Sequence, residues 1–118
     1  MTRNMLVEGA WQTDVEPQVT EDGAFDRVTT SFRDWVRDEP DAEFRPEPGR
    51  YHLYVARNCP WAHGAALARR LTGLTDAVTM DVVDPIREDE GWRFTPEKDE
   101  CMPDTVNGTD YHRDVYVK

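Results

Sequence analysis

Apolar positions in this chain gather in its middle third. Residues 51–56 (Tyr-His-Leu-Tyr-Val-Ala) form a short run of aromatic and branched side chains, the pattern expected of a strand buried on both faces. Over 60–72, Trp61, Ala65 and Ala68 fall on one helical stripe and Leu67 and Leu71 on another, with Arg69 and Arg70 outward. That spacing predicts a helix, and Gly73 supplies its stop. Over 77–83, Val78, Met80 and Val82 alternate with Thr79 and Asp81, which predicts a second strand. Strand, helix and strand in immediate succession are expected to form a right-handed βαβ unit with parallel strands.

The flanks are patterned differently. Residues 1–49 carry little periodicity and are punctuated by Pro17, Pro40, Pro46, Pro48, Gly9, Gly23 and Gly49. They read as an extended arm laid over a surface, with Trp11, Phe25, Phe32, Trp35 and Phe44 as anchors. A short helix is expected near 31–37, where Phe32, Trp35 and Val36 share one side. Residues 84–109 read as a polar insertion broken by Pro96, Pro103 and Gly108, and Asp110 as the cap of a helix that begins over 110–118. The fold class is α/β, with residues 50–118 as one partial domain. Two parallel strands and one helix make an incomplete sheet, so either this is the front portion of a larger fold or a partner completes it.

Composition narrows the function. Asp and Glu number 24 against 14 Lys and Arg, a net charge of −10. Such a balance opposes binding to nucleic acid or to anionic membrane surfaces. The acidic residues are scattered rather than blocked, which favours a solvation shell suited to a salt-rich cytosol over an acidic tail. No apolar run approaches the ~18 residues of a membrane span, and no signal-peptide pattern opens the chain. Cys59 and Cys101 are the only cysteines. Such sparse usage suits reduced thiols in the cytoplasm.

Cys59 stands where the first strand hands over to the helix. A sulfur there faces the unpaired N–H groups of the first helical turn, whose partial positive charge favours thiolate, the nucleophilic form. Pro60 fits the first helical position, which needs no N–H. His63 lies one turn on, and reads as a locally bonded residue in preference to a catalytic base. His52 reads as a hydrogen-bonded core residue and Arg50 as a tie to an acidic neighbour. Trp61 is expected to pack under the helix, and Cys101 to be an exposed bystander. Cys59, His63, Cys101 and His112 have the ligand types for zinc, but their spacings match no compact metal motif, and no metal is expected.

The run Arg50-Tyr51-His52-Leu53-Tyr54-Val55, followed by Cys59-Pro60-Trp61-Ala62-His63, resembles the Xi-class glutathione transferases, the glutathionyl-hydroquinone reductases. Ser31-Phe32-Arg33-Asp34-Trp35 is similar to the family's leader, Leu71-Thr72-Gly73-Leu74 to its helix end, and Gly91-Trp92-Arg93-Phe94 to its Gly-Trp-x-Phe segment. The resemblance implies the N-terminal part of a thioredoxin-like domain. It implies that Cys59 attacks the sulfur of a glutathionyl-hydroquinone, expels the hydroquinone and forms a mixed disulfide with glutathione. Ala62 stands where a dithiol motif has its second cysteine, so a second glutathione, or a related low-molecular-weight thiol, would resolve that disulfide. Trp92 carries over as a wall of the glutathione site, and Pro60 as part of that site.

Gly64-Ala65 stand where the family usually has Arg-Thr. The chain also ends before the family's third strand and its helical domain, so impaired activity is expected of this length, and a homodimer or a C-terminal portion is the expected complement. Two other classes remain open. One is a non-catalytic module that pairs an open sheet edge with another chain; the other is a regulator that forms mixed disulfides without turnover.

Overall fold

A computed structural model describes residues 3–16, 21–24 and 30–118. Its elements in chain order are β1 (Arg3–Val7), β2 (Ala10–Val15), β3 (Tyr51–Val55), α1 (Pro60–Leu71), β4 (Val78–Val82) and α2 (His112–Val115). β3 and β4 pair in parallel, from Tyr51 opposite Val78 to Val55 opposite Val82, with α1 as the crossover between them. Strand, helix and strand thus form the expected βαβ unit, an α/β arrangement around a two-stranded parallel sheet among the described residues.

The arm contains regular structure that its weak periodicity hid. β1 and β2 form an antiparallel hairpin in which Leu6 faces Trp11 and Val7 faces Ala10, turned by Glu8 and Gly9 with φ of 48° and 80°. The helix expected at 31–37 is absent; residues 31–38 form no regular structure. Its supposed apolar side has nothing to pack on, since Phe32 and Trp35 are 77% and 79% exposed. An isolated turn of helix is unstable without such packing. The Phe32 ring lies 6.0 Å from that of Tyr116. Pro17 and Phe25 lie outside the described residues.

α1 turns a different face to the sheet from the one its leucines suggested. Ala62, Ala66 and Arg69 are its partly covered positions, whereas Trp61, Leu67 and Leu71 are exposed. Trp61 therefore does not pack under the helix. Arg69 points inward because its guanidinium has carbonyl partners there, Val78 O at 2.5 Å and Thr75 O at 2.8 Å. The helix ends in a Schellman motif, with Leu74 N donating to Arg69 O and Gly73 N to Arg70 O. Gly73 takes the left-handed φ of 73° that this motif requires. At the other helix, Tyr111 rather than Asp110 holds the N-cap.

Few of the described residues are fully enclosed, and four of those are polar: Asp81, Asp84, Thr95 and Asp104. β3 is only half-buried except at Val55, so it is not covered on both faces. His52 Nδ1 lies 2.6 Å from Thr79 Oγ1. Its Nε2 is 2.9 Å from Asp81 Oδ2 without hydrogen-bond alignment. Asp81 also accepts from the N–H and hydroxyl of Thr105. Arg50 is tied to Glu47 at 3.2 Å.

Asp104 accepts from the backbone N–H groups of Val106, Asn107 and Thr109, the Thr109 hydroxyl at 2.6 Å and the Tyr54 hydroxyl at 2.7 Å. Burial opposes its ionisation, but the donors from Asn107, Thr109 and Tyr54 outweigh that and hold the carboxyl below the usual carboxylate range. Burial, reinforced by the bond to Asp104, pushes the Tyr54 hydroxyl up to about 12. A depressed carboxyl stabilises the fold fully above its unfolded pKa of about 4 and loses that contribution as pH falls through its lower folded value. Urea melts should therefore show a stability decline beginning below about pH 4, and Asp104→Ala should remove about 2–4 kcal/mol at neutral pH while flattening that decline.

Candidate active site

Cys59 is the N-cap of α1, with φ −90° and ψ 115°, and Pro60 occupies the first helical position. The turn is closed by Cys59 N donating to Ala56 O at 3.0 Å and His63 N donating to Cys59 O at 2.9 Å. The thiol makes no capping hydrogen bond to the first-turn N–H groups. It lies instead against a small apolar cluster of Ala56, Val83 and Phe94. The His63 side chain is exposed one turn along.

Trp92 packs on that same cluster, together with Tyr54. The structure thus brings Cys59 and Trp92, two residues far apart in sequence, to one half-buried patch where β3 and β4 end. Pro60 sits beside it, exposed at the helix start. The patch is held by backbone pairing rather than by a long strand. Asp84 N donates to Arg93 O, Phe94 N to Asp110 O, and His112 N to Trp92 O, at 2.8 to 2.9 Å.

Beneath the patch, Asp84 accepts from Lys98 Nζ at 2.6 Å, Thr95 Oγ1 at 3.0 Å and Ile86 N at 2.9 Å. The Lys98 ammonium, and then the Ile86 N–H, hold its carboxyl below the ordinary range, while Asp84 holds the Lys98 ammonium above its own. Cys101 is half-buried rather than exposed, with Sγ 4.0 Å from Val83 O. His112 packs beside Tyr54 and Tyr116, at 5.3 Å from each ring. Burial shifts its imidazole toward the neutral form, with Asp104 opposing.

Among the described residues no group of three or more His, Cys, Asp or Glu is placed to hold a metal ion, so Cys59, His63, Cys101 and His112 do not converge. None of the helices among them is long and apolar enough to cross a membrane.

Sequence reasoning missed the device that holds the loop before Trp92. Gly91 takes φ +90°, and a Cβ built there would come within 3.0 Å of Trp11 Cη2. The hairpin's Trp11 and Asn4 both donate to Asp89 O, at 3.1 and 2.8 Å. The glycine preceding the tryptophan was the available signal, because a positive φ and a close approach both demand that residue.

No protein-family model matches the chain. It is 38% identical over 113 residues to glutathionyl-hydroquinone reductase PcpF of Sphingobium chlorophenolicum, a match covering 96% of this chain and 34% of that protein. Among solved structures, an Xi-class glutathione transferase from Natrialba magadii aligns with a TM-score of 0.82 at 53% identity, over 97% of this chain and 33% of that one. The glutathione-bound structure of YqjG, a glutathione transferase homolog from Escherichia coli K-12, aligns with a TM-score of 0.69 at 32% identity, over 76% of this chain and 31% of its own. The chain has the thioredoxin-like fold of a glutathione transferase N-terminal domain, and is similar over most of its length to about a third of an Xi-class glutathione transferase and of a glutathionyl-hydroquinone reductase. It spans about a third of the length of these relatives.

Gly91→Ala should strain the backbone and displace the Trp11 ring together. The expected loss is about 1–3 kcal/mol in urea unfolding, against a gain of up to about 1 kcal/mol for the same change at Gly64, which is helical and has open space around it.

Proposed function

We propose that the chain is the N-terminal portion of an Xi-class glutathione transferase, acting in the thiol-dependent reduction of glutathionyl-hydroquinones. The observation that carries this reading is the placement of Cys59 at the start of α1, on the same small patch as Trp92. Similarity to a glutathionyl-hydroquinone reductase and to a glutathione-bound homolog supports it.

In this reading the Cys59 thiolate attacks the thioether sulfur of the conjugate. The sulfur–ring bond breaks, a Cys59–glutathione disulfide forms, and the ring carbon takes a proton to leave as hydroquinone. A second glutathione thiolate then attacks the mixed disulfide, releasing oxidised glutathione and regenerating Cys59. The ring gains the two electrons that the two glutathione sulfurs lose. Cys59 attacks from the start of α1, Trp92 and Pro60 bound the ligand beside it, and the apolar cluster excludes water from one side of the sulfur. Glutathione, or a related small thiol, is the co-substrate, and the scattered acidic surface suits a salt-rich cytoplasm.

A second reading, a non-catalytic module that pairs its sheet with another chain, is favoured by one feature. The two-stranded sheet leaves its crossover helix uncovered, with Trp61 78% and Leu71 76% exposed.

One experiment separates the two. Mixing the chain with a stoichiometric glutathionyl-hydroquinone should release hydroquinone and add one glutathionyl group to the Cys59 peptide in mass spectrometry. Cys59→Ser should abolish both, whereas Cys101→Ser should leave both intact. A chain that stays unmodified at Cys59 while remaining folded would leave the interaction module standing and remove the reductase.

A further inference from the structure

Trp92 sits in a segment without strand or helix, so its position depends on what grips that segment at each end. The C-terminal side is gripped by backbone, with Arg93 bridged to Tyr111 and His112 N bonded to Trp92 O. The N-terminal side is a tight turn in which Gly91 N donates to Glu88 O at 2.9 Å. Such a turn does not hold itself in place. Here the β1–β2 hairpin holds it from outside: Asp89 O accepts from Trp11 Nε1 and Asn4 Nδ2, and Arg87 Nη2 donates back to Asn4 O at 2.6 Å.

The Trp11 ring closes the arrangement. One of its edges lies where a Gly91 side chain would be. The Arg113 guanidinium lies 4.7 Å from the Trp11 ring and 5.1 Å from that of Tyr111, and pairs with Glu90 on the same turn. Hairpin, turn and α2 therefore share one stacked unit directly before Trp92. The turn of Cys59 is closed by Cys59 N to Ala56 O and His63 N to Cys59 O, with Asn58 Nδ2 donating to Pro85 O, and none of these bonds involves the hairpin.

We infer that Trp11 is a positioning residue: by stacking on Gly91 it fixes Trp92 beside Cys59 and so sets the affinity of the site for its thiol ligand, without touching that ligand. This rests on the glutathione reading above. The physical reason is that a ligand's apparent affinity falls with the fraction of molecules in the binding-competent arrangement. Loosening the turn before Trp92 lowers that fraction and leaves the thiol unchanged.

The test uses the whole chain and S-methylglutathione, which has no free thiol to consume an alkylating reagent. Alkylation of Cys59 by iodoacetamide is followed in the Cys59 peptide by mass spectrometry across a range of S-methylglutathione concentrations. Trp11→Ala should raise the half-protecting concentration about tenfold and keep the unprotected alkylation rate within about twofold. Trp11→Phe, which keeps a ring over Gly91, should restore most of the protection. Should Trp11→Ala unfold the chain, Arg87→Ala removes a single hairpin-to-turn bond and should shift protection in the same direction. Protection that neither Trp11→Ala nor Arg87→Ala changes overturns the positioning role alone. No protection of the unaltered chain overturns the glutathione reading and this inference with it.

Discussion

A buried carboxylate that accepts five hydrogen bonds is what the irregular half of this fold hangs on. Asp104 gathers four bonds from its own loop and a fifth from Tyr54 on β3. Residues 84–110 have no long strand or helix with which to bury an apolar face, so they need another means of attachment. Asp81 and Asp84 repeat the device further along, holding Thr105 in one case and Ile86, Thr95 and Lys98 in the other. Each carboxylate lies in or just beyond β4, or reaches back to β3. The sheet thus acts as a rack from which the loops are hung by charge-assisted hydrogen bonds, stronger than neutral ones and directional.

That attachment is what makes a site from parts distant in sequence. Cys59 comes from the end of β3 and Trp92 from the loop region, and they meet over Ala56, Val83 and Phe94. The phenylalanine two residues after Trp92 is the most enclosed aromatic of the segment, at 5% exposure. Its burial alternates with the exposed Arg93, which aims Trp92 and Phe94 toward the same side of the chain. A loop with no such internal anchor would leave the indole free to turn away from the sulfur.

The legible part of this fold was the part with a period. The strand at 51–55, the helix at 60–71 and the strand at 78–82 were marked by spacing, by Pro60 at a helix start and by Gly73 at a helix end. The hairpin was not, because Arg3–Val7 and Ala10–Val15 pair mostly through backbone and leave β2 largely exposed, with no alternating apolar face to read. The apparent helix at 31–37 misled for the opposite reason: it had helical spacing but no surface to lie on. Within α1, Arg69 turned inward against its charge because two carbonyls at the helix end offered partners. For the site, the position of Cys59 was readable from local context alone. Trp92 was not, and only similarity to a family singled it out before the fold showed its neighbourhood.

The scarcity of enclosed apolar residues has a thermal consequence. The heat-capacity change of unfolding rises with apolar surface newly exposed and falls with polar surface. Among the described residues the enclosed set is five alanines and valines and one phenylalanine, together with three carboxylates and a threonine. Unfolding this chain should therefore change the heat capacity less than is usual for its length. Its stability would then vary shallowly with temperature, with a broad flat maximum and a gradual rather than abrupt loss of structure on warming.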